Sequence, residues 1–347
     1  MPATSVRLGR TGYQVPRIGF GALPIQKLSR DDAVTLLRHA INSGVTFIDS
    51  AIGYSDSEEK IGLALREGVD SDAVILATKS MARGAEEIRT HVELSLKRTG
   101  LERIHIYQMH AINSFELLEQ VTAPGGALEG LKRARDAGRI EHISITGHRI
   151  DVLMEALKSG EYATVQAPYN FIENEAEREL IPLARQMDAG FLVMKPMGGG
   201  MLQSARLSVG YILQQTPDAV LIPGYESIAE LDEILTIDRD FTPLAHAEFK
   251  ELERIRDELG KNFCRRCNYC APCPQEISIP MGMIMHTLLK RAGSEFFRRE
   301  TGSEAMTKVE SCIRCGVCEP RCPYNLPIRE ILARNVKTVK TALSKAH

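Results

Sequence analysis

The sequence of 347 residues contains no tryptophan, and aromatic residues make up only 5% of it. Large aromatic surfaces for stacking bases or sugars are therefore not expected. No apolar run approaches the roughly 20 residues that a membrane-spanning helix needs. The formal net charge is only −2, so no strong field indicates a nucleic acid or an anionic membrane as partner. No targeting sequence is recognisable, and we expect a soluble, cytoplasmic protein.

Cysteine is absent from the first 263 residues, and all eight cysteines lie in the last quarter of the chain. They form two runs, Cys264-x2-Cys267-x2-Cys270-x2-Cys273-Pro274 and Cys312-x2-Cys315-x2-Cys318-x3-Cys322-Pro323. The second run has the spacing of bacterial ferredoxins, in which three thiolates hold one [4Fe–4S] cluster and the fourth ligates another cluster. Eight thiolates suffice for two [4Fe–4S] clusters.

Ligation is expected to cross between the two runs, as the ferredoxin spacing implies. One cluster would be held by Cys264, Cys267, Cys270 and Cys322, and the other by Cys273, Cys312, Cys315 and Cys318. The first run has two residues, where the ferredoxin pattern has three, before its last cysteine. The pairing is therefore open.

Disulfides and structural zinc are the alternatives for these cysteines. Each disulfide would close a loop of only a few residues, and no signal peptide marks the chain for an oxidising compartment. Structural zinc sites usually pair two C-x2–4-C knuckles across a longer stretch, whereas here four cysteines crowd into each run. The spacing therefore favours iron–sulfur clusters, with zinc as the better of the two rivals.

Residues 17–235 alternate between short β-branched runs and segments with helical periodicity. The predicted strands are Ile18–Gly21, Val45–Asp49, Val74–Lys79, Ile104–His110, Ile140–Thr146, Thr164–Gln166, Phe191–Lys195 and Val220–Ile222. The helical segments between them include Asp31–Asn42, Glu58–Arg66, Ala85–Arg98, Ala127–Ala137, Val152–Leu157, Glu175–Met187 and Ser204–Gln215. Eight such units in about 240 residues match a (β/α)8 TIM barrel in count and size. A doubly wound sheet would also alternate, but no G-x-G-x-x-G follows the first strand.

The remaining segments indicate two domains. Val6–Val15 reads as a hairpin ahead of the barrel, and Ser227 and Glu230 have the spacing of a capping box that opens an eighth helix. A charged helix over Leu244–Leu259 leads into the cysteine region, where Pro280–Lys290 is predicted to be a helix between the two runs. We predict a barrel over residues 1–260 and a small α-helical, ferredoxin-like iron–sulfur domain over residues 261–347.

Four polar residues stand at or shortly after the ends of predicted strands: Asp49, Tyr54, Lys79 and His110. In a (β/α)8 barrel these ends meet at one mouth, where catalytic groups lie. A phenol has a pKa of about 10 in water, which burial raises and a neighbouring ammonium lowers. Tyr54, Lys79 and Asp49 are predicted to form a proton-donating chain, with His110 fixing the carbonyl that receives the proton.

These residues carry a resemblance to a known family. The segments Gly44–Tyr54, Ile75–Lys79, His110, Gln166–Asn170 and Lys195–Leu202 resemble the aldo-keto reductases, and the resemblance covers most of residues 5–240. It implies that Asp49, Tyr54, Lys79 and His110 are the family's catalytic tetrad, with Tyr54 as general acid in reversible carbonyl reduction. The cysteine-rich addition is similar to that of a prokaryotic branch with a fused [4Fe–4S] domain.

The resemblance also implies a nicotinamide cofactor across the barrel mouth. The residues expected to contact it are Thr146, Gln166, Tyr169, Lys195, Gly198, Gly199, Gly200, Gly224 and Glu230. Among these, Thr146 and Gln166 would hold the carboxamide, and the Tyr169 ring would stack on the nicotinamide. Gly147 stands where the family commonly has Asn, and His148 is a candidate to replace that contact. The three consecutive glycines would let the backbone approach the pyrophosphate.

The segment after the eighth strand, Pro223–Glu230, has no Lys or Arg to neutralise the 2′-phosphate of NADPH. Family members that select NADPH usually place a base there. Glu226 and Glu230 would repel the phosphate, whereas a ribose hydroxyl can hydrogen-bond to a carboxylate. We therefore expect NADH to be preferred, or nicotinamide to bind weakly with electrons arriving from elsewhere.

The role of the clusters is open, because they move single electrons, nicotinamide moves a hydride, and no flavin signature is present. One interpretation is that they exchange electrons with an external ferredoxin or another carrier during reduction of a small carbonyl or alcohol. Another is that they are structural or redox-sensing, and that their iron–thiolate bonds fold the C-terminal region. A third is a redox-responsive binding or regulatory protein whose barrel turns over little.

Overall fold

The computed structural model describes residues 4–66 and 68–345. The chain divides into two compact units, Met1–Ala245 and His246–His347. Helix α10, His246–Gly260, therefore groups with the cysteine-rich unit, whereas we predicted the domain boundary after this helix.

The first unit contains a single sheet of eight parallel strands, hydrogen-bonded in sequence order. Its strands are β3 (Phe20–Gly21), β4 (Phe47–Asp49), β5 (Ile75–Ser80), β6 (Ile104–Met109), β7 (Ile140–Thr146), β8 (Thr164–Pro168), β9 (Gly190–Met194) and β10 (Val220–Ile222). Parallel bridges from Ile18 to Leu221 and from Gly21 to Gly224 join the last strand to the first. This closure confirms the predicted (β/α)8 barrel over the doubly wound alternative.

An N-terminal hairpin precedes the barrel, as predicted. Its strands β1 (Ser5–Arg7) and β2 (Gln14–Pro16) pair antiparallel. Leu8 and Val15 from this hairpin are buried in a cluster with apolar side chains of the barrel strands. The hairpin turn requires glycine at position 9, because its φ is +50° and a Cβ there would lie 2.2 Å from the Gly190 nitrogen.

Nine α-helices accompany these strands in the described part of the first unit. They are α1 (Arg30–Asn42), α2 (Ser57–Arg66), α3 (Ala85–Thr99), α4 (Phe115–Thr122), α5 (Ala127–Asp136), α6 (Ile150–Lys158), α7 (Leu180–Gln186), α8 (Ala205–Gln215) and α9 (Ile228–Arg239). Helix α4 was not predicted. The predicted helix Glu175–Met187 is split, with a 3₁₀ turn at Glu175–Glu177 ahead of α7.

The capping box ahead of α9 forms only in part. Ser227 Oγ accepts a hydrogen bond from the Glu230 backbone N–H at 3.3 Å, as predicted. The Glu230 carboxylate accepts instead from the N–H of Glu226 at 2.7 Å. The carboxylate thus orders the turn that precedes the helix as well as its first residues.

The second unit is helical. After α10 it contains α11 (Ile279–Met283), α12 (Met285–Ala292), α13 (Glu295–Arg298), α14 (Glu300–Glu310) and α15 (Ile328–Lys345). The predicted single helix Pro280–Lys290 is broken at Ile284. Asn335 of α15 explains the break, because its amide nitrogen donates to the carbonyls of Gly282 and Met283 at 2.9 and 3.0 Å. Buried side chains of α11, α12 and α15 pack around it.

Across residues 4–66 and 68–345, none of the helices combines the length and the apolar character needed to cross a bilayer.

Candidate active site and thiol-lined sites

Asp49 and Lys79 form a buried ion pair at the ends of adjacent strands. Asp49 is the last residue of β4, and Lys79 is next to last in β5. Lys79 Nζ lies 2.5 Å from Asp49 Oδ1 and donates to the Ser50 carbonyl at 2.7 Å. The two side chains are only 3% and 5% exposed, so the pair interacts with little screening by water.

Gln108 is a site residue that the sequence analysis missed. It lies in β6, is fully buried, and donates through Nε2 to Asp49 Oδ2 at 2.8 Å. Ser144 of β7 donates to Gln108 Oε1 at 3.4 Å. The available signal was a polar residue inside the apolar strand Ile-Tyr-Gln-Met, two positions before His110. Gln108 holds the second oxygen of Asp49 and so fixes the carboxylate that faces Lys79.

Tyr54 lies in the turn that follows β4, where its backbone N–H donates to the Ala51 carbonyl at 2.9 Å. Lys79 Nζ lies 5.1 Å from the centre of the Tyr54 ring. The edge of the His110 ring meets the same phenol ring, with centroids 6.2 Å apart and an interplanar angle of 84°. The predicted phenol, ammonium, carboxylate and imidazole therefore lie together at one end of the barrel.

Burial raises the pKa of the Tyr54 phenol above its ordinary value, and the Lys79 ammonium only partly offsets this. Of the two opposing effects expected from the sequence, burial is therefore the larger, and the ammonium does not bring the pKa below the value in water. Burial lowers the pKa of Lys79, but Asp49 and then Tyr54 raise it by more, so that it lies above its ordinary value. At neutral pH the site thus holds a protonated phenol beside a charged ammonium.

His110 follows β6 and is held through its backbone N–H, which donates to the Ser80 carbonyl at 2.9 Å. Burial lowers the pKa of His110 to about 3, and Lys79, Arg83 and Lys195 add to the effect in that order. The imidazole is therefore neutral at neutral pH. A neutral imidazole has one N–H to donate and one nitrogen to accept.

Thr146, the last residue of β7, is paired in register with Gln166 in the middle of β8, and both are 1% exposed. Gln166 Oε1 is buried and has no hydrogen-bond partner in the described chain. Because a buried unpaired amide oxygen is costly, this atom fits the amide hydrogens of a bound carboxamide. The contact of Thr146 and Gln166 with a nicotinamide stays a prediction.

Gly147 has a structural reason to differ from the common Asn. A Cβ at this position would lie 2.5 Å from the Ile112 carbonyl oxygen, so a side chain does not fit without a shift of the backbone. The neighbouring His148 contacts Lys195 Nζ through Nε2. His148 and Lys195 therefore occupy the side of the mouth where an Asn contact was expected.

Tyr169 directly follows β8 at the mouth end of the barrel, but its side chain is enclosed by protein. It is fully buried, its hydroxyl donates to Glu177 Oε1, and its ring packs edge-on against Phe191. Tyr211 donates to the same Glu177 oxygen. The Tyr169 ring therefore has no open face for stacking on a nicotinamide, and the role that the sequence assigned to it has no support.

Past β9, the backbone is in the left-handed region at Lys195, with φ of +58°, and at all three glycines Gly198, Gly199 and Gly200, with φ of +56°, +70° and +86°. Three such residues in succession favour glycine, because a Cβ is strained there. At Gly224 a Cβ would lie 2.6 Å from Pro24 Cγ, so this glycine serves the packing of the loop after β10. Both loops hold the positions predicted for the cofactor.

Lys27 reaches the segment after β10 from the other end of the barrel sequence. Its Nζ lies 2.8 Å from Glu226 Oε1, and both side chains are partly exposed. The segment Pro223–Glu230 itself contains no base, as noted from the sequence. Lys27 comes from the turn after β3 and is brought to this segment only by the fold. Because Lys27 is paired with Glu226, the carboxylate of Glu230 gives the segment after β10 an excess of negative charge.

In the second unit, the cysteines gather into the two predicted sets of four. One cavity is lined by Cys264, Cys267, Cys270 and Cys322. The other is lined by Cys273, Cys312, Cys315 and Cys318. None of the eight forms a disulfide. The described residues contain no group of three or more His, Cys, Asp or Glu close enough together to hold a single metal ion, whereas a cluster of several irons needs thiols spaced around a cavity. Four thiols around one cavity are the donor set of a [4Fe–4S] cluster.

The two thiol-lined cavities differ in exposure. Cys267, Cys270 and Cys322 of the first set are buried, whereas Cys315 of the second set is exposed. Burial raises the pKa of Cys264 to about 11 and that of Cys270 to about 12. These thiols are therefore protonated without a metal, and binding iron as thiolates releases their protons.

Comparisons with known proteins agree with this architecture. The model of the aldo/keto reductase family matches residues 17–208, and that of a 4Fe-4S dicluster domain matches residues 263–327. The chain is 23% identical over 291 residues to "Probable aldo-keto reductase 1" of Glycine max, covering 66% of this chain and 82% of that protein. It is 30% identical over 209 residues to "Aldo-keto reductase YhdN" of Bacillus subtilis, covering 55% and 61%.

A crystal structure of an aldo-keto reductase from Klebsiella pneumoniae in complex with NADPH has a TM-score of 0.62 to this chain. The two are 23% identical, and the match covers 74% of this chain and 96% of that chain. At this identity the likeness establishes the barrel fold. The family model itself spans more than half of the sequence. The chain therefore belongs to the aldo/keto reductase family of oxidoreductases, with a 4Fe–4S dicluster domain following the barrel.

Proposed function

We propose that this protein reversibly reduces a carbonyl compound to an alcohol at the mouth of its barrel, with Tyr54 as general acid. The observation that carries the proposal is the meeting of Tyr54, Lys79 and His110 around one point, with Asp49 beneath them. Proton transfer to a carbonyl oxygen requires a protonated donor, here the phenol. The nearby cation and the neutral imidazole complete the group.

Each residue has a separate part in this chemistry. Tyr54 donates its hydroxyl proton to the carbonyl oxygen, and its raised pKa keeps the proton in place at neutral pH. Lys79 stabilises the phenolate that remains, because the opposite charge is close and poorly screened. Asp49 keeps Lys79 charged in a site that would otherwise favour the neutral amine. In the oxidative direction the same phenolate accepts the proton of the alcohol.

His110 positions the substrate in this proposal. Its imidazole stays neutral over the working pH range, because its pKa is lowered to about 3. The single N–H of the neutral ring can donate to the carbonyl oxygen and hold it in line with Tyr54. A charged imidazole would compete with Tyr54 as proton donor, and burial together with three nearby cations prevents it from forming.

A bound nicotinamide cofactor would supply the hydride. The orphaned Gln166 Oε1 and the adjacent Thr146 fit its carboxamide. Lys195 and Gly198–Gly200 lie on the loop after β9, where a cation and an open backbone suit a pyrophosphate. The aldo-keto reductase from Klebsiella pneumoniae, which shares this fold, was crystallised with NADPH.

We propose that NADH is preferred over NADPH. Glu226 and Glu230 lie at the start of α9, and Lys27 is paired with Glu226. A 2′-phosphate at this segment would meet two carboxylates, Glu226 and Glu230, and one cation, Lys27, so the net charge there would repel it. The ribose hydroxyl of NADH can instead donate a hydrogen bond to a carboxylate. Exposure of the Glu226 side chain, at 49%, makes the effect modest in salt.

We further propose two [4Fe–4S] clusters with different roles, held by the two sets of four thiols. Bound clusters would supply storage and transfer of single electrons. The first set includes Cys270 and Cys322, which belong to the apolar core of the second unit. A cluster there ties the loop after α10 to the loop before α15, and we assign it a structural part. The second set includes exposed Cys315 and is assigned electron exchange.

The partner proposed for that exchange is a ferredoxin or another small electron carrier. Cys315 is flanked by Ile313 and Val317, which are 62% and 39% exposed. They are the two large apolar side chains of the second unit found exposed in its described part. An apolar rim around an exposed ligand brings a redox partner close and excludes water. The free thiols of this unit fit the cytoplasm, where cysteines stay reduced.

The test of the proposed reduction is Tyr54→Phe in the full-length, iron-loaded protein, assayed with NADH and a panel of aldehydes and ketones. Loss of the general acid should lower turnover about a hundredfold or more. Tyr162→Phe is the matched control, since no partner of the buried Tyr162 hydroxyl is found among the described residues. Tyr162 lies just ahead of β8, at the opposite end of the strand from the mouth. Equal activity of the two variants would contradict the role of Tyr54.

A further inference from the structure

Arg83 lies at the barrel mouth in the loop between β5 and α3. Its Nη2 donates to the carbonyl oxygen of His110 at 3.0 Å, which sets the guanidinium against the residue that holds the substrate in the proposed function. The backbone of Arg83 is itself held, because its carbonyl accepts from Ala127 N at 2.9 Å. The guanidinium is therefore a fixed group of the site.

A second nitrogen of this guanidinium has no partner among the described residues. Arg83 Nη1 is buried and makes no hydrogen bond within the described chain. The nearest acid, Glu87, accepts from the Arg83 backbone N–H at 3.2 Å, and no ion pair with the Arg83 side chain is found in the described ranges. A buried, charged N–H without an acceptor costs free energy, which a bound anion would recover.

Arg83 is one of three cations whose charge is felt at His110. Lys79, Arg83 and Lys195 all disfavour a charge on His110. Asp49 compensates Lys79, and Lys195 contacts His148. The loop after β6 and the loop after β7 are linked at the barrel mouth. His148 N–H, after β7, donates to Asn113 Oδ1 at 2.6 Å, and Asn113 follows His110 closely in sequence. Arg83 itself has no ion-pair partner in the described ranges, and a bound anion would balance its charge.

The cofactor does not supply this anion. In the closed sheet, β5 is the third strand and β9 the seventh, so the loops that follow them lie on opposite sides of the mouth. The pyrophosphate of a nicotinamide is assigned to the glycines after β9, across the barrel from Arg83. The group that Arg83 binds belongs to the substrate.

We infer that Arg83 binds a carboxylate of the substrate, and that the natural substrates are oxo acids and not neutral aldehydes or ketones. A guanidinium presents a fork of N–H donors that fits a carboxylate; here Nη1 and the second hydrogen of Nη2 are available. Met81 and Phe115, which are 62% and 45% exposed near the same loops, offer apolar contacts to the remainder of the molecule. The inference rests on the proposed function, since the reacting carbonyl is the one that faces Tyr54.

The test compares two ligands that differ in charge but cannot react. Benzoate and benzamide are titrated into the iron-loaded, full-length protein with NADH present, for the wild type and for Arg83→Gln. The wild type should bind benzoate more tightly, and Arg83→Gln should weaken benzoate binding about ten- to a hundredfold while changing benzamide binding far less. Arg83→Lys, which keeps the charge but loses the fork, should fall between them.

Arg89→Gln is the matched control, because Arg89 is an exposed arginine of α3 paired with Glu86 at 3.0 Å. It should leave the binding of both ligands as in the wild type. If Arg83 only supports the loop, its loss moves benzoate and benzamide binding alike, and the inference is wrong. Equal binding of the two ligands to the wild type also overturns it. Neither result bears on Tyr54, whose role is decided by turnover.

Discussion

Replacing Asp49 with asparagine tests the buried pair on which Tyr54 depends. The substitution preserves shape but removes the charge that Lys79 Nζ contacts at 2.5 Å. With both side chains almost fully buried, the ammonium left behind is neither hydrated nor paired, and such a loss costs about 3–5 kcal/mol. The Ser50 carbonyl still accepts from Nζ, which places the expected cost near the lower bound. For a urea m-value of about 3 kcal/mol/M, the midpoint of unfolding should fall by about 1 M.

The assay is urea unfolding of the iron-loaded protein followed by far-UV circular dichroism, since the chain has no tryptophan for fluorescence. Asp188→Asn is the control, because Asp188 and Arg7 form an exposed pair of similar length, 2.7 Å, and its loss should barely move the midpoint. The double variant Asp49→Asn/Lys79→Met removes the lone ammonium and should recover more than half of the loss. Equal midpoints for Asp49→Asn and Asp188→Asn would refute the reasoning.

Three further predictions follow from the site. The rate of carbonyl reduction should stay constant between about pH 6 and pH 9. The pKa of Tyr54 is raised above its usual value of about 10, and the pKa of His110 is about 3, so neither group titrates in this range. A step near pH 6.5 in the pH profile of kcat/KM would contradict a neutral His110. The wild type should bind NADH more tightly than NADPH, and Glu226→Gln/Glu230→Gln should narrow the difference about fivefold by equilibrium titration; clearly tighter NADPH binding by the wild type would overturn the preference. Cys270→Ala should lower the iron content and the helix content together. Cys315→Ala should keep the helix content but slow electron exchange with an external one-electron donor about tenfold or more. Equal behaviour of the two variants would argue against separate roles for the two clusters.

The barrel could be predicted because its signals are local and repeated. Most of the strands are short runs rich in β-branched residues. Eight parallel strands that pair in sequence order can join their first and last members to form a barrel. The polar ends Asp49, Lys79 and His110 were also visible, since a charged or polar residue directly after an apolar strand is conspicuous. Their meeting at one mouth then follows from the topology of the fold.

Contacts between distant parts of the sequence could not be predicted in this way. Lys27 and Glu226 are adjacent only because the barrel closes, and Asn335 breaks a helix that begins more than fifty residues earlier. Tyr169 follows Gln166 closely, but strand geometry turns its ring into the core, where Glu177 satisfies the hydroxyl. Sequence spacing does not reveal which way such a side chain points.

The pKa of Tyr54 shows why the balance of opposing effects needs coordinates. The sequence indicated an ammonium that lowers the pKa and a burial that raises it, and their relative size depends on depth and distance. In the structure burial has the larger effect. The consequence is a site prepared to give a proton at neutral pH, with Lys79 acting on the phenolate after the transfer.

The most direct measurement of the central claim uses NADH carrying deuterium at both C4 positions of the nicotinamide, in a single turnover with the iron-loaded protein and an oxo acid. If the tetrad supports hydride transfer with proton donation from Tyr54, mass spectrometry should find one deuterium on the carbinol carbon of the product alcohol. A product without deuterium would contradict the account, because the reducing electrons would then have reached the carbonyl by another route.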